Sequence, residues 1–418
     1  MQQLKIDDPQ LDTLIEQEAA RIEDTLDLIA AENHMPPSIM EVLGSILSTK
    51  TIEGYPGKRF HAGCGIVDEI ERVAIQRGKE RFAAEYVNVQ PHSGTSANLA
   101  VFFSVLDPGD RILSMGLPSG GHLSHGHRAS ITSRCFDFTH YGVDPDTERI
   151  DYDEIADLAA RTRPKMIIAG ASSYPRLIDY ARIAAITGQV NAYFLADMAH
   201  LAGLVAAGVI PSPVPHCDFV TFTTYKTMMG GRGGVILARE KFGRRIDSAV
   251  FPGTQGTSAV NMIAAKALIF KLSGSTWFID IQKKTLENAA ALAEALGARE
   301  YRIVSGGTDN HQVLLDLGTA GLTGALAESA LEAAGIVSNR NVVPRDAQTP
   351  GKVSGLRLGS AGVSTRGMGP AEMDQIADMI HRVLSAPRAP ETLSDVKARV
   401  LALCRRFPLH ANIGERAV

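Results

Sequence analysis

The sequence predicts a three-layer α/β/α domain with a mainly parallel sheet, followed by a smaller α+β domain. Short apolar strands alternate with helical segments from Val67 to the run GGVILAR, which is typical of βαβ units. After about Ser273 a long helical stretch leads into a different pattern of strands and helices. We therefore expect an N-terminal helical arm at residues 1–50, a large domain at 51–279 and a small C-terminal domain at 280–418.

The elements are predicted in chain order from hydrophobic periodicity and from Gly and Pro breaks. Leu11 to about Leu28 has apolar residues at helical spacing, the loop GYPGKRFHAGCG follows, and a helix runs from Val67 to about Tyr86. Strands are predicted at YVNVQP, RILSM, TSRCFDFTHY, KMIIAGASS, AYFLADMAH, FVTFTTYK and GGVILAR. Helices are predicted at SGTSANLAVFFSVL, DYDEIADLAARTR and DYARIAAITGQV, and later at TWFIDIQKKTLENAAALAEALGA and TGALAESALEAAGI. VLLDL and LRLGSAG are strands of the small domain, and two helices close the chain.

Composition excludes several classes of function. The 418 residues are 45% hydrophobic, carry a net charge of −4 and show no basic stripe, which argues against nucleic acid as a partner. No apolar run reaches about 18 residues, so we expect a soluble, cytoplasmic protein without a membrane partner. The cysteines lie far apart without a CxxC pair, which argues for buried free thiols rather than a disulfide framework or a zinc site.

Lys226 is the most informative single residue, because it ends the apolar strand FVTFTTYK and precedes a glycine-rich turn. Desolvation at the end of a buried strand lowers the pKa of a lysine and favours the neutral amine that forms imines. A solvated residue at a strand boundary is the alternative interpretation.

Other motifs supply partners for a flat, anionic cofactor. Asp197 ends the strand in LADMAH, where a carboxylate can pair with the pyridine nitrogen of pyridoxal phosphate (PLP) or simply cap a helix. His200 follows three residues later and could contact the cofactor's phenolic oxygen. Ser93-Gly94-Thr95 lies between a strand and a helix, where hydroxyls and free N–H groups can bind a phosphate.

Histidines and an arginine complete the candidate site. His122, His125 and His127 suggest a metal site by number, but the glycines of SGGHLSHGH favour a loop that closes over a flat ligand, with His122 stacked on a ring. We therefore expect no metal. Arg357, in SGLRLGS, is suited to bidentate binding of a substrate carboxylate, with a surface arginine as the alternative.

Together these motifs resemble the serine hydroxymethyltransferase family of aspartate-aminotransferase-like (fold type I) PLP enzymes. The resemblance extends in order over nearly the whole chain: LIAAEN, EGYPGKR, VNVQPHSGTSANLAV, GGHLSHG, AGASSYPR, ADMAHLAGLVAAG, TTYKT, GGRGG, FPGTQG and GLRLGS. It implies that the chain transfers a one-carbon group between a β-hydroxy amino acid and tetrahydrofolate. It also implies a homodimer with shared active sites, with a tetramer as the alternative.

The resemblance also implies roles for individual residues. Lys226 would hold PLP, Asp197 would pair with its nitrogen, and Glu53 would exchange a proton with the substrate hydroxyl or the folate. Tyr225 is grouped with the catalytic residues because it precedes the lysine, although its role is open. The remaining positions bind cofactor (Ser93, Gly94, Thr95, His122, Ser172, His200, Thr223, Gly256 and Thr257), substrate (Ala31, Thr51, His61 and Arg357) or folate (Leu117, Gly121, Leu123 and Asn341).

Several residues depart from the family pattern. Ala31 replaces a serine, Thr51 and His61 replace tyrosines, and Tyr225 replaces a histidine. Thr257 replaces a glycine, Phe60 a tyrosine, and Thr349-Pro350-Gly351 a serine-proline-phenylalanine run near the folate. Because Thr51 and His61 remove bulk, we hypothesise that the pocket accepts a methyl group on Cα, as in the family variant that acts on α-methylserine and alanine. A folate-independent aldolase or a threonine-type transaldolase remains open, as does an inactive PLP-binding partner subunit.

Overall fold

The computed structural model describes residues 2–346 and 353–409. Its N-terminal arm consists of helices α1 (Gln2–Asp7) and α2 (Pro9–Asp24), strand β1 (Leu26–Asp27) and helix α3 (Pro37–Leu43). A hairpin of β2 (Gly54–Tyr55) and β3 (Lys58–Arg59) follows. Asp8 caps α2, because its side chain accepts a hydrogen bond from the N–H of Leu11.

A seven-stranded sheet forms the centre of the large domain. Its strands are β4 (Tyr86–Asn88), β5 (Arg111–Met115), β6 (Asp137–Tyr141), β7 (Met166–Ala169), β8 (Tyr193–Asp197), β9 (Phe219–Thr223) and β10 (Gly234–Ala238). Their order is β4-β10-β9-β8-β7-β5-β6, and only β10 runs antiparallel to its neighbours. The carboxyl ends of the other strands therefore meet at one edge of the sheet, where ligands bind in such folds.

Helices cover both faces of this sheet. They are α4 (Gly65–Phe82), α5 (Gly94–Val105), α6 (Thr132–Cys135), α7 (Tyr152–Thr162), α8 (Tyr180–Val190), α9 (Ala202–Ala206), α10 (Gly243–Ser248), α11 (Val260–Leu272) and α12 (Thr276–Gly297). Successive strand residues pack on opposite faces: Ile112 and Ile168 join the core that includes α5, whereas Leu113 and Ile167 join the core that includes α4 and α11. The predicted three-layer α/β architecture is confirmed.

The C-terminal part has its own sheet and core. Its elements are β11 (Arg302–Ile303), β12 (Gln312–Asp316), α13 (Gly324–Ala333), β13 (Ile336–Val337), β14 (Asn339–Asn341), β15 (Gly355–Gly359), α14 (Ala361–Thr365), α15 (Pro370–Ser385) and α16 (Pro390–Arg406). Strands β11-β12-β15-β14 form an antiparallel sheet. Trp277 and Phe278 of α12 belong to the large core, while Leu292 and Leu296 belong to the C-terminal core. The domain boundary near residue 280 thus falls inside one continuous helix, and it stays a prediction.

Three predicted element boundaries were wrong. The first long helix ends at Asp24 rather than Leu28, because Leu26 and Asp27 pair as a strand with Ile336 and Val337. The second helix ends at Phe82 rather than Tyr86, where Ala83 adopts a left-handed conformation with φ of 50°. Within the predicted strand TSRCFDFTHY, the first residues form α6 and only Asp137–Tyr141 pairs with β5.

Helix α11 was not anticipated from the sequence. It is apolar on nearly every face, because it is buried between α3 and α4 and therefore lacks an amphipathic pattern.

No single helix in the described ranges is long and apolar enough to cross a bilayer, although α11 and α12, bent by 83°, meet those criteria as a pair.

Candidate active site

A cleft of about 450 Å³ lies at the carboxyl ends of the sheet strands. The turn after β4, the loops after β5 and β7, and the ends of β8 and β9 all contribute to it, as the parallel topology predicts. Its lining residues are Ser93, Gly94, Thr95, His122, His125, Ala171, Ser172, Asp197, Ala199, His200, Thr223, Tyr225 and Lys226. Ten of the residues that the sequence singled out therefore converge on one cleft.

Lys226 is buried at this cleft, with 6% of its surface exposed. Burial lowers the pKa of its ammonium group to about 8, while the negative charge of Asp197 acts in the opposite direction and the positive charge of Arg357 adds to the lowering. The backbone carbonyl of Lys226 accepts a hydrogen bond from the side chain of Asn33 at 3.2 Å, which ties the lysine to the N-terminal arm. A substantial fraction of the amine is therefore neutral near physiological pH.

Asp197 is held by two side chains that the sequence alone did not assign to it. His125 Nε2 donates to Asp197 Oδ2 at 2.9 Å, and Asn98 Nδ2 donates to the same oxygen at 2.8 Å. Thr221 in turn orients Asn98 by donating to its amide oxygen at 2.6 Å. Burial alone would raise the pKa of Asp197, but the bond from His125 and the nearby imidazoles bring it below the usual range. Asp197 is therefore an anion throughout the physiological pH range.

His122 stands beside this pair and is held in place by Ser124, whose N–H donates to His122 Nδ1 at 3.1 Å. Burial lowers the pKa of His122 to about 4, so the ring is neutral and suited to stacking on a flat aromatic ligand. The ligand atoms of His122, His125 and Asp197 lie within 4.8 Å of one another. His125 Nε2 and His122 Nδ1 are both engaged in hydrogen bonds, and the absence of a metal stays a prediction.

His200 stacks on His311, with ring centroids 5.5 Å apart. His311 Nε2 lies 3.1 Å from the carbonyl oxygen of Ala30 and 3.4 Å from His200 Nδ1. Because a carbonyl can only accept, His311 Nε2 carries the proton and His200 Nδ1 is an acceptor. His200 Nε2 is then the protonated nitrogen, and burial keeps the pKa of the ring well below its usual value. His200 can thus donate to a ligand oxygen in the cleft.

The turn at Ser93 has the geometry of a phosphate site. Ser93 caps α5 by accepting a hydrogen bond from the N–H of Ser96, and the helix N-terminus opens onto the cleft. A Cβ at Gly94 would lie 2.8 Å from Thr223 Cγ2, so only glycine leaves this approach free. An anion site, a buried amine, an anionic carboxylate and a neutral ring together fit the chemistry of PLP.

Arg357 reaches the cleft from β15 of the C-terminal sheet. Its Nε donates to Asn339 at 3.1 Å and its Nη1 donates to the carbonyl oxygen of Ser172, which itself lines the cleft. No partner of Arg357 Nη2 occurs among the described residues, so this nitrogen is available to a ligand carboxylate. Burial lowers the pKa of Arg357 to about 10, and the side chain remains a cation at neutral pH.

The residues expected near the folate are not among the residues that line the cleft, but Gly121 and Leu123 flank the cleft residue His122 in the chain. Asn341 donates to the hydroxyl of Ser173 at 3.0 Å, next to Ser172. Leu117 and Leu123 are 37% and 52% exposed. The N–H of Gly121 bonds the carbonyl oxygen of Gly116 at 3.0 Å, and a Cβ at Gly121 would lie 2.1 Å from Met115 O. Thr349-Pro350-Gly351 lies outside the described residues.

A second set of expected site residues lies apart from the cleft of its own chain. Glu53 Oε1 is 4.0 Å from the position of a Cβ on Gly256, and the hydroxyl of Thr257 donates to the carbonyl oxygen of Ile52. Thr51 and His61 are exposed on the same segment. Glu53, Thr51, His61, Gly256 and Thr257 are not among the residues that line the cleft of their own chain.

Tyr225 separates the main cleft from a neighbouring cavity of about 760 Å³ and lines both. Its ring faces the guanidinium of Arg232, whose Cζ lies 4.5 Å from the ring centroid. Ala31 lines this neighbouring cavity rather than the main cleft. Tyr225 thus takes part in a cation–π contact in addition to filling space.

Three contributors to the site were missed or misread from the sequence. Asn98 is a buried polar residue within an apolar helix, which is a signal that could have identified it. His125 was considered only as a metal ligand, although its place three residues after His122 puts it in the same loop. His311 carries no local signal, because its role depends on a contact with the distant His200.

Comparison with known proteins gives a consistent result. The family model described as serine hydroxymethyltransferase matches residues 4–380. A protein of Desulforapulum autotrophicum named serine hydroxymethyltransferase is 51% identical over 405 residues, which cover 97% of each chain. A protein of Synechococcus sp. with the same name is 48% identical over 420 residues and again 97% of each chain.

Proposed function

The chain belongs to the serine hydroxymethyltransferase family of fold type I PLP enzymes, and on that premise we propose that its cleft transfers the hydroxymethyl group of a β-hydroxy amino acid to tetrahydrofolate. The observation that carries this proposal is the convergence of Lys226, Asp197, His122 and the Ser93 turn on one cleft that Arg357 borders. The reaction converts serine into glycine and runs in both directions.

PLP, when bound, supplies an electron sink that stabilises negative charge at the substrate Cα. The residues of the chain have separate tasks around it. The neutral amine of Lys226 would hold the cofactor through its aldehyde, Asp197 would keep a proton on the pyridine nitrogen, and His200 would donate to the phenolic oxygen. His122 would stack on the ring. The Nη2 group of Arg357 binds the substrate carboxylate and thereby orients the Cα–Cβ bond.

Glu53 is proposed to exchange the proton of the substrate hydroxyl. Because Glu53 is not among the residues that line the cleft of its own chain, we propose that a second chain supplies it. Large apolar side chains of the same region are exposed, with 79% exposure at Ile46, 76% at Phe60 and 77% at Ile66, and a partner would cover them. We therefore propose a homodimer with shared sites. Sedimentation equilibrium at micromolar concentration should give twice the chain mass, and a monomer at that concentration would contradict it.

A finer proposal concerns the substrate side chain. Thr51 and His61 are smaller than the tyrosines of the family pattern, and Ala31 has only a methyl group where that pattern has serine. We propose that the space they vacate admits a methyl group on Cα, so that α-methylserine is cleaved to alanine. One methyl group in an apolar pocket changes discrimination by only about 1–3 kcal/mol, so these replacements are sufficient in scale.

The test compares kcat/KM for α-methylserine and L-serine, each with and without tetrahydrofolate. The proposal expects α-methylserine to be the better or an equal substrate and cleavage to need the folate. A clear preference for serine would refute the α-methyl proposal and leave the transferase intact. Equal rates without folate would favour an aldolase instead. Reverting Thr51→Tyr should lower kcat/KM for α-methylserine more than for serine.

A further inference from the structure

Lys266 on α11 is a buried cation outside the cleft. Only 1% of its surface is exposed, and its Nζ donates to the carbonyl oxygens of Val89 at 2.6 Å and Pro91 at 3.1 Å. No carboxylate lies within ion-pair distance of Lys266 in the described part of the chain. A buried ammonium group without a carboxylate partner is costly, so its retention needs an explanation.

The carboxylate of Glu71 does not neutralise the charge of Lys266. Glu71 on α4 favours the charged form of Lys266 through space, but its carboxylate already binds Arg59 and accepts from Gln90 at 2.7 Å. Burial lowers the pKa of Lys266 to about 7. The amine, which is charged mainly below about pH 7, is thus held by backbone carbonyls and lacks an anion of its own.

The carbonyls that hold Lys266 belong to the segment that enters the phosphate turn. Pro91 also accepts from the N–H of Gly234 at 3.0 Å. A Cβ at Gly233 would lie 2.9 Å from Lys266 Nζ, and a Cβ at Gly234 would lie 2.1 Å from Ser93 O and 3.2 Å from Gly94 N. Gly233 and Gly234 therefore lie next to both the ammonium group and the turn at Ser93, the candidate phosphate site.

We propose that Lys266 is a positioning residue for the phosphate of PLP. It fixes the Val89–Pro91 segment so that Ser93 and the N–H groups of the α5 N-terminus face the phosphate, and it places a positive charge behind that turn. The phosphate supplies the anion that the buried cation lacks. This inference rests on the proposed PLP function but goes beyond it, because it assigns a role to a residue that does not touch the cleft.

The test compares PLP with pyridoxal, which has the same aldehyde and ring but no phosphate. Both are captured by Lys226, and binding to the apoprotein is followed by visible absorbance. Lys266→Met should weaken PLP binding by roughly tenfold to a hundredfold, as expected for loss of a nearby charge in a medium of low polarity. Pyridoxal binding should change by less than about threefold, because pyridoxal has no phosphate for that charge to attract.

Arg77→Met is the matched control, since Arg77 also donates to a backbone carbonyl of α11, that of Ala267 at 2.8 Å, but away from the turn. It should leave the ratio of the two affinities unchanged. If Lys266→Met weakens both ligands equally, or neither, the inference is overturned while the proposed function stands. A wild-type protein that captured neither aldehyde would overturn both.

A measurement on the wild type covers the case in which Lys266→Met does not fold. Calorimetry at pH 8 in buffers of different ionisation enthalpy gives the protons taken up on binding. PLP should take up as much as about one proton more than pyridoxal, because Lys266 becomes protonated beside the phosphate. Lys226 reacts with both ligands, so its contribution to proton uptake is the same for PLP and pyridoxal. Burial lowers the pKa of His122 and of His200, so both rings stay neutral at pH 8. Equal proton uptake would contradict the inference.

Discussion

The capture of PLP by the apoprotein should depend on pH through Lys226. Only the neutral amine attacks the cofactor aldehyde, and burial lowers the pKa of Lys226 from 10.5 to about 8. At pH 7 roughly a tenth of the amine is then neutral, compared with roughly one part in three thousand for an unperturbed lysine. The capture rate should rise about tenfold per pH unit below 8 and level off above it.

Asp197→Asn tests the electrostatic part of this reasoning. The carboxylate of Asp197 favours the ammonium form of Lys226, so its removal should lower the pKa of Lys226 further and move the midpoint of the capture rate down by about one pH unit. Stopped-flow absorbance between pH 6.5 and 9.5 measures both profiles. A rate that keeps rising tenfold per unit through pH 9, or a midpoint that moves up in Asp197→Asn, would refute the account.

Three further substitutions test separate parts of the structure. The side chain of Arg366 is 1% exposed and donates to backbone carbonyls of the N-terminal arm and of α16. Arg366→Met should therefore lower the free energy of unfolding, measured by urea titration, by about 3–5 kcal/mol. A change under about 1 kcal/mol would contradict this. Gly94→Ala places a Cβ 2.8 Å from Thr223 Cγ2. It should weaken PLP binding about tenfold and pyridoxal binding by less. An unchanged PLP affinity would show that the turn tolerates the methyl group. His125→Phe removes the hydrogen bond that His125 donates to the carboxylate of Asp197. It should lower kcat by roughly tenfold to a hundredfold and leave KM little changed. A normal kcat would exclude that hydrogen bond from the mechanism.

The parts of the site that are local in sequence could be predicted. Asp197 ends β8, Lys226 follows the end of β9 by three residues rather than ending the strand as predicted, and Ser93 precedes a helix, so strand and helix signals place them at one edge of the sheet. Contacts between distant segments could not be predicted from periodicity. His311 orients His200 from the C-terminal part, and Arg366 joins α2 to α16 through carbonyls that carry no sequence signal.

The same distinction applies to secondary structure. Strands with apolar runs, such as β7 and β9, were found because burial on both faces leaves a continuous hydrophobic signal. Helix α11 was missed because burial on all sides removes the amphipathic signal that identified α7. Leu26 and Asp27 were assigned to a helix, since their pairing with β13 depends on a strand some 310 residues away in the chain.

The central claim is that the Lys226 cleft of one chain is completed by Glu53 of another to transfer a hydroxymethyl group. Hybrid dimers test it directly: Lys226→Ala and Glu53→Gln chains, each inactive alone, are unfolded together, refolded with PLP and assayed for folate-dependent serine cleavage. Random pairing gives one intact site in half of the dimers, so about a quarter of wild-type activity should return. No recovery, with dimers and cofactor binding intact, would contradict the account.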